Sequence, residues 1–154
     1  MDEKHKELAE DVLSKASFRL TENGSVTPIF IAILPDNNEL MPIVITGIEN
    51  LSLDEYAVIA TNAAAQIDAV AMMLICEQWV AKVLEDEPML ASIAPSQHPD
   101  KMECLAVIYM TATGECSILT SEIHKDPSGT KYTKDSVWLN DASVLSGIVS
   151  PWKV

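Results

Sequence analysis

The stretch from Asp68 to Val83, D-A-V-A-M-M-L-I-C-E-Q-W-V-A-K-V, is the longest continuously apolar segment of the chain and the one that most restricts its folding. A strand with one wet face alternates apolar and polar residues, because successive side chains point to opposite sides. Here Val70, Met72, Leu74, Cys76 and Val80 point one way and Ala71, Met73, Ile75 and Trp79 the other, which leaves no face for water. The pattern predicts a strand buried on both faces, with Met72 and Met73 as core filler. Asp68, Glu77, Gln78 and Lys82 interrupt the run and leave it short of the roughly 20 apolar residues of a spanning helix, so no membrane association is expected.

The segments before this strand carry strong local signals. Leu8, Val12, Ala16 and Leu20 recur at helical spacing and predict an amphipathic helix from about Glu3 to Leu20, ending into T-E-N-G. Asp11 precedes Lys15 in the favourable order for an intrahelical ion pair. Pro28 to Leu34 and Leu40 to Thr46 flank the turn-forming P-D-N-N-E and read as a hairpin. Pro42 has no amide hydrogen to donate, which puts the second strand at a sheet edge or a bulge. Ser52 with Glu55 fits a capping box, and Leu51 with Tyr56 fits a hydrophobic staple, so a second helix starts there. Its many alanines allow it to lie close against a sheet. No Gly or Pro separates this helix from the central run, and one helix from Leu53 to Val83 is the alternative to a break near Asp68. The lack of a polar face at helical spacing beyond Val70 favours the break.

Beyond Val83 the character changes. Leu84 to Lys101 has prolines, an acidic cluster at Glu85 to Glu87 and no sustained period, so it reads as a long loop. Met102 to Thr111 and Glu115 to His124 form a second hairpin around A-T-G, D-P-S-G makes a further turn, and Lys131 to Leu139 is a last strand. The tail from Asn140 to Val154 shows no pattern beyond a short helical turn capped by Asp141. These elements predict one α+β domain over residues 1–154: an antiparallel or mixed sheet of about six strands in the order α-β-β-α-β-β-β-β, with two helices on one face. The uncovered face of such a sheet needs the tail or a second copy of the chain, hence the expectation of a homodimer formed sheet to sheet or edge to edge.

Charge and motifs narrow the function classes. With 23 acidic against 10 basic residues the formal net charge is −13, and such a surface repels phosphate, so nucleic acid is not an expected partner. The opening M-D-E-K-H-K-E lacks the basic and apolar regions of a secretory signal, which predicts a cytoplasmic protein. Cys76, Cys104 and Cys116 form no C-x-x-C pair and read as buried reduced thiols. Nucleotide-binding, zincin and α/β-hydrolase motifs are absent from the sequence, and no cofactor or metal is expected.

The remaining candidate site is a grouping of Glu77, beside Gln78 and Trp79, with His98 and Asp100 of the loop S-Q-H-P-D; Ser96 and Glu103 lie near it in the chain. A carboxyl in apolar surroundings has its pKa raised, which suits a general acid or base, and a loop histidine would complete a proton-transfer pair. The ordinary alternative is a Glu77 at a solvated strand end and a His98 with no partner. His5 reads as a residue of an exposed helix and His124 as a strand end, while Trp138 and Trp152 are candidate interface anchors. Two functional classes follow: a non-catalytic interaction or accessory protein of bacterial or phage type, open to a protein partner, and a small-molecule-binding protein or hydrolase with a site at Glu77 and His98.

Overall fold

The chain enters its central strand through a residue in the left-handed conformation. The structure is a computed structural model that describes residues 1–44, 52–82, 101–139 and 144–146. Helix α2 (Leu53–Gln66) stops short of Asp68, which has φ of 54°, and the strand β3 (Ala71–Lys82) follows. Asp is one of the few residues that visits this conformation readily, because its short polar side chain can bond locally. The break near Asp68 is therefore real, and no single long helix forms. At the other end of α2 the capping box is complete: Glu55 N–H donates to Ser52 Oγ at 3.1 Å and Ser52 N–H donates to Glu55 Oε1 at 3.4 Å. The staple residue Leu51 lies outside the described residues.

Helix α1 (Glu3–Asn23) runs slightly beyond its expected end. Asp2 caps its start by accepting Lys4 N–H at 2.8 Å, and Gly24, at φ 78°, closes it by donating to Leu20 O at 2.8 Å. Asp11 and Lys15 pair at 2.8 Å.

Around β3 the sheet is antiparallel at every described pairing. With β1 (Ile29–Ile33), β2 (Leu40–Ile43), β4 (Met102–Thr111), β5 (Cys116–Lys125) and β6 (Lys131–Thr133), its order is β2-β1-β3-β4-β5-β6. The edge position of β2 accords with Pro42. The expected last strand divides in two, because β7 (Val137–Leu139) returns to β5 after an interruption in which Ser121 Oγ donates to Lys134 O at 2.8 Å. From the tail, β8 (Val144–Ser146) pairs with Val80 to Lys82, sharing the edge of β3 whose other half β1 occupies. A helical turn capped by Asp141 falls outside the described residues.

The α+β class and the element order are as expected, but the two helices do not share a face. Ala71, Met73 and Ile75 of β3 and Leu105, Val107 and Tyr109 of β4 pack with Ala9, Val12, Leu13 and Ala16 of α1. The alternate residues Met72, Leu74, Cys76, Ala106, Ile108 and Met110 pack with Ala57, Ala60 and Ala64 of α2. The physical reason lies in β3 itself: apolar on both sides, it is stabilised only when each side is covered, and one helix per face achieves that within one chain. Met72 and Met73, neighbours in sequence, are both fully buried in separate cores. Among the described residues no helix is long and apolar enough to cross a membrane.

Candidate functional site

Strand alternation carries Glu77 to the α1 side of the sheet, past the fully packed part of β3. Its Oε2 accepts Val26 N–H at 3.0 Å, and its Oε1 lies 3.4 Å from Lys131 Nζ. The Glu77 and Lys131 side chains are 21% and 22% exposed, so the pair is largely shielded from solvent. Such a carboxylate is satisfied by an amide and a cation, an arrangement that fixes the segment after α1 and strand β6 onto β3. His98 and Asp100, the other members of the expected grouping, lie outside the described residues, as does Ser96. On the same face Trp79 is partly exposed, and Lys101 Nζ sits 4.9 Å from its ring centroid in a cation–π contact.

On the opposite face, at the same end of the sheet, Gln78, Glu122 and His124 lie around the buried Cys104. Gln78 is opposite Cys104, and Cys104 is opposite Glu122. His124 Nε2 lies 3.7 Å from Glu122 Oε2, and its ring stacks on Tyr132 at 5.6 Å between centroids. Burial, with Glu77 adding to it, pushes the Cys76 thiol up to about 12; burial, then Glu122 and Glu103, pushes Cys104 up to about 11. Both are protonated at neutral pH and are poor nucleophiles. They occupy diagonal positions on β3 and β4, a spacing too wide for a disulfide without backbone movement; no disulfide joins the three cysteines, and Cys116, expected to be buried, is only half-buried at the start of β5. Gln78 Oε1 accepts weakly from Cys76 Sγ at 3.9 Å.

His5 is not on an exposed face. It is 6% exposed, with Nδ1 at 2.7 Å from Tyr109 Oη and Nε2 at 3.0 Å from Asn38 Oδ1. Because the Asn38 oxygen only accepts, Nε2 donates to it, and in the neutral imidazole the Tyr109 hydroxyl then donates to Nδ1. Burial, reinforced by Glu115 and Asp2, pushes Tyr109 up to about 12. This network ties α1 to β4 and to the β1–β2 turn, where Asn37 and Asn38 take φ of 57° and 52°. A signal was present in the sequence: His5 sits one turn before Ala9 and so continues the buried stripe of Ala9, Val12, Ala16 and Leu20. Trp138 is engaged within the chain, donating from Nε1 to Glu10 Oε1 at 3.3 Å, whereas Trp152 lies outside the described residues.

Among the described residues, no group of three His, Cys, Asp or Glu side chains is placed to hold a metal ion. No family model, curated protein or solved structure matches the chain.

Proposed function

We propose that this chain is a non-catalytic interaction protein that works as a homodimer through the outer face of α2. The observation that carries the reading is the chemistry of that face. Ala57, Ala60 and Ala64 point into the core, which leaves Val58, Ile59, Asn62, Ala65 and Gln66 outward. Val58 is 56% exposed, and Ile67, Val70 and the flanking Met41 of β2 add further open apolar surface. From Tyr56 to Ile67 there is no charged residue, in a chain whose net charge is −13.

Two like-charged copies approach with least repulsion where neither presents a carboxylate, and a two-fold axis sets the same patch against itself. The other routes to a dimer lose their motivation. Each sheet face has its own helix, so sheet-to-sheet packing is not needed, and Pro42 weakens edge pairing at β2. Glu77, engaged by Val26 and Lys131, serves this reading as a structural residue. A cytoplasmic location fits three cysteines with no disulfide among them, two of them buried.

Light scattering on a sizing column tests the proposal. A dimer mass is expected at micromolar concentration, and a monomer mass is expected for the doubly charged variant Val58→Glu/Asn62→Glu with its circular dichroism unchanged. A monomer mass for the unaltered chain, or a dimer that survives both substitutions, overturns it.

A further inference from the structure

Asn23 and Gly24 are the single Asn-Gly pair in the sequence, and the structure puts them at the exposed end of α1, where Asn23 is the last helical residue and Gly24 the left-handed cap at φ 78°. Asparagine is chemically labile, and glycine is the follower that shields its own amide nitrogen least, having no side chain. A Cβ at Gly24 would meet nothing within 4 Å, so that side of the cap is open to water. One contact restrains the pair: Gly24 N–H donates to Leu20 O at 2.8 Å. We infer that Asn23 is a site of spontaneous deamidation, held back by this helix-closing hydrogen bond, and that its isoaspartyl product releases the clasp of Val26 on Glu77.

The reaction needs only water as co-reactant. With the cap open, a base takes the Gly24 amide proton, the nitrogen attacks Cγ of Asn23, and the Cγ–Nδ2 bond breaks, Nδ2 leaving as ammonia once it has taken up a proton. Water then opens the cyclic imide. Cleavage of its bond from nitrogen to Cγ gives aspartate; cleavage of its bond from nitrogen to the Asn23 main-chain carbonyl carbon gives isoaspartate, with the chain now running through Cβ and Cγ. An amide and water have become a carboxylate and ammonium, and nothing is oxidised or reduced. In the closed helix the attacking nitrogen keeps its proton in the bond to Leu20 O, so the reaction runs through fraying of the last turn, the part of a helix that opens most readily. No basic residue lies in that turn to steady its carbonyls.

The consequence reaches the sheet. Val26, whose N–H donates to Glu77 Oε2 at 3.0 Å, follows Asn23 closely in the chain. An isoaspartyl link lengthens the main chain just before it and redirects it, which carries the Val26 amide away from the carboxylate. The aspartyl product adds a charge but keeps the main chain, and leaves the clasp closed.

The test ages the full chain at mildly alkaline pH, folded and in guanidinium chloride, and maps each asparagine by mass spectrometry with fragmentation that separates aspartate from isoaspartate. Asn23 should convert ahead of every other asparagine, and at least about tenfold more slowly in the folded chain than in denaturant. Nuclear magnetic resonance follows the Val26 amide: a second resonance should grow in step with isoaspartate, while Asn23→Asp keeps the original resonance and Asn23→Gln gains no second one on ageing. Another asparagine converting first in the folded chain, equal rates with and without denaturant, or isoaspartate that accumulates with the Val26 resonance unmoved overturns the inference.

Discussion

Glu77 joins three stretches of chain distant in sequence: its own strand, the Val26 amide after α1, and Lys131 at the start of β6. Its carboxylate accepts the Val26 amide hydrogen and pairs with Lys131, so Glu77→Gln, which keeps the shape and gives up the ion pair, should destabilise the protein. The expected loss is about 1 kcal/mol, modest because the pair keeps some contact with solvent that screens it. A urea midpoint that falls correspondingly, and falls less in high salt, is the expected result. A midpoint that rises would show instead a carboxylate that pays desolvation without compensation. The same residue marks a limit of the sequence. Its place at the end of an apolar run was legible, but its partners were not, since Val26 and Lys131 reach it only through the tertiary arrangement. His5 is the converse case: its spacing from Ala9 carried the information, and its polar character argued against burial that Tyr109 and Asn38 make acceptable.

At the scale of elements, the features read correctly are those decided within a few residues: the Ser52 and Glu55 box, the turn before Leu40, the edge role of Pro42 and the break near Asp68. What stayed illegible depends on distant partners. Which face each helix covers is settled by two cores that each draw on α1 or α2 and on the same two strands, and local pattern gives no handedness to that choice. The last strand divides because Ser121 of β5 holds Lys134, and β8 exists because β1 leaves part of the edge of β3 to be paired. The α2 to β3 boundary offers a test of the local kind. Asp68→Ala, forced into a left-handed conformation at φ 54°, should lose about 1 kcal/mol, while Asp68→Gly and Asp68→Asn should be near neutral. Thermal melts that place all three variants together would show that the conformation at Asp68 is not what ends the helix.

For the whole molecule, the groups with raised pKa values set an alkaline limit to stability. Cys76 and Cys104 rise from 9.0 to about 12 and about 11, and Tyr109 from 10.0 to about 12. In each the folded state holds the proton more tightly than the unfolded chain. Stability is therefore complete below the unfolded pKa values and is lost as pH rises through them towards the folded ones, at about 1.4 kcal/mol per group and pH unit. Urea midpoints should be level up to pH 8 and fall steeply from pH 9 to 11, less steeply in Cys104→Ala. A level profile to pH 11 would mean that the thiols are not held in the core. One consequence of the two-sided burial of β3 reaches further. When both faces of a strand are greasy, its pattern contains no phase: a slip by one residue exchanges Met72 with Met73 and exposes nothing. The frame is then chosen by polar atoms at the ends, the kink at Asp68 and the clasp on Glu77, which a slip would replace by Gln78. A few hydrogen bonds thus discriminate between alignments that the hydrophobic interior would accept almost equally, and misalignment is the error to which a fold of this kind is most open.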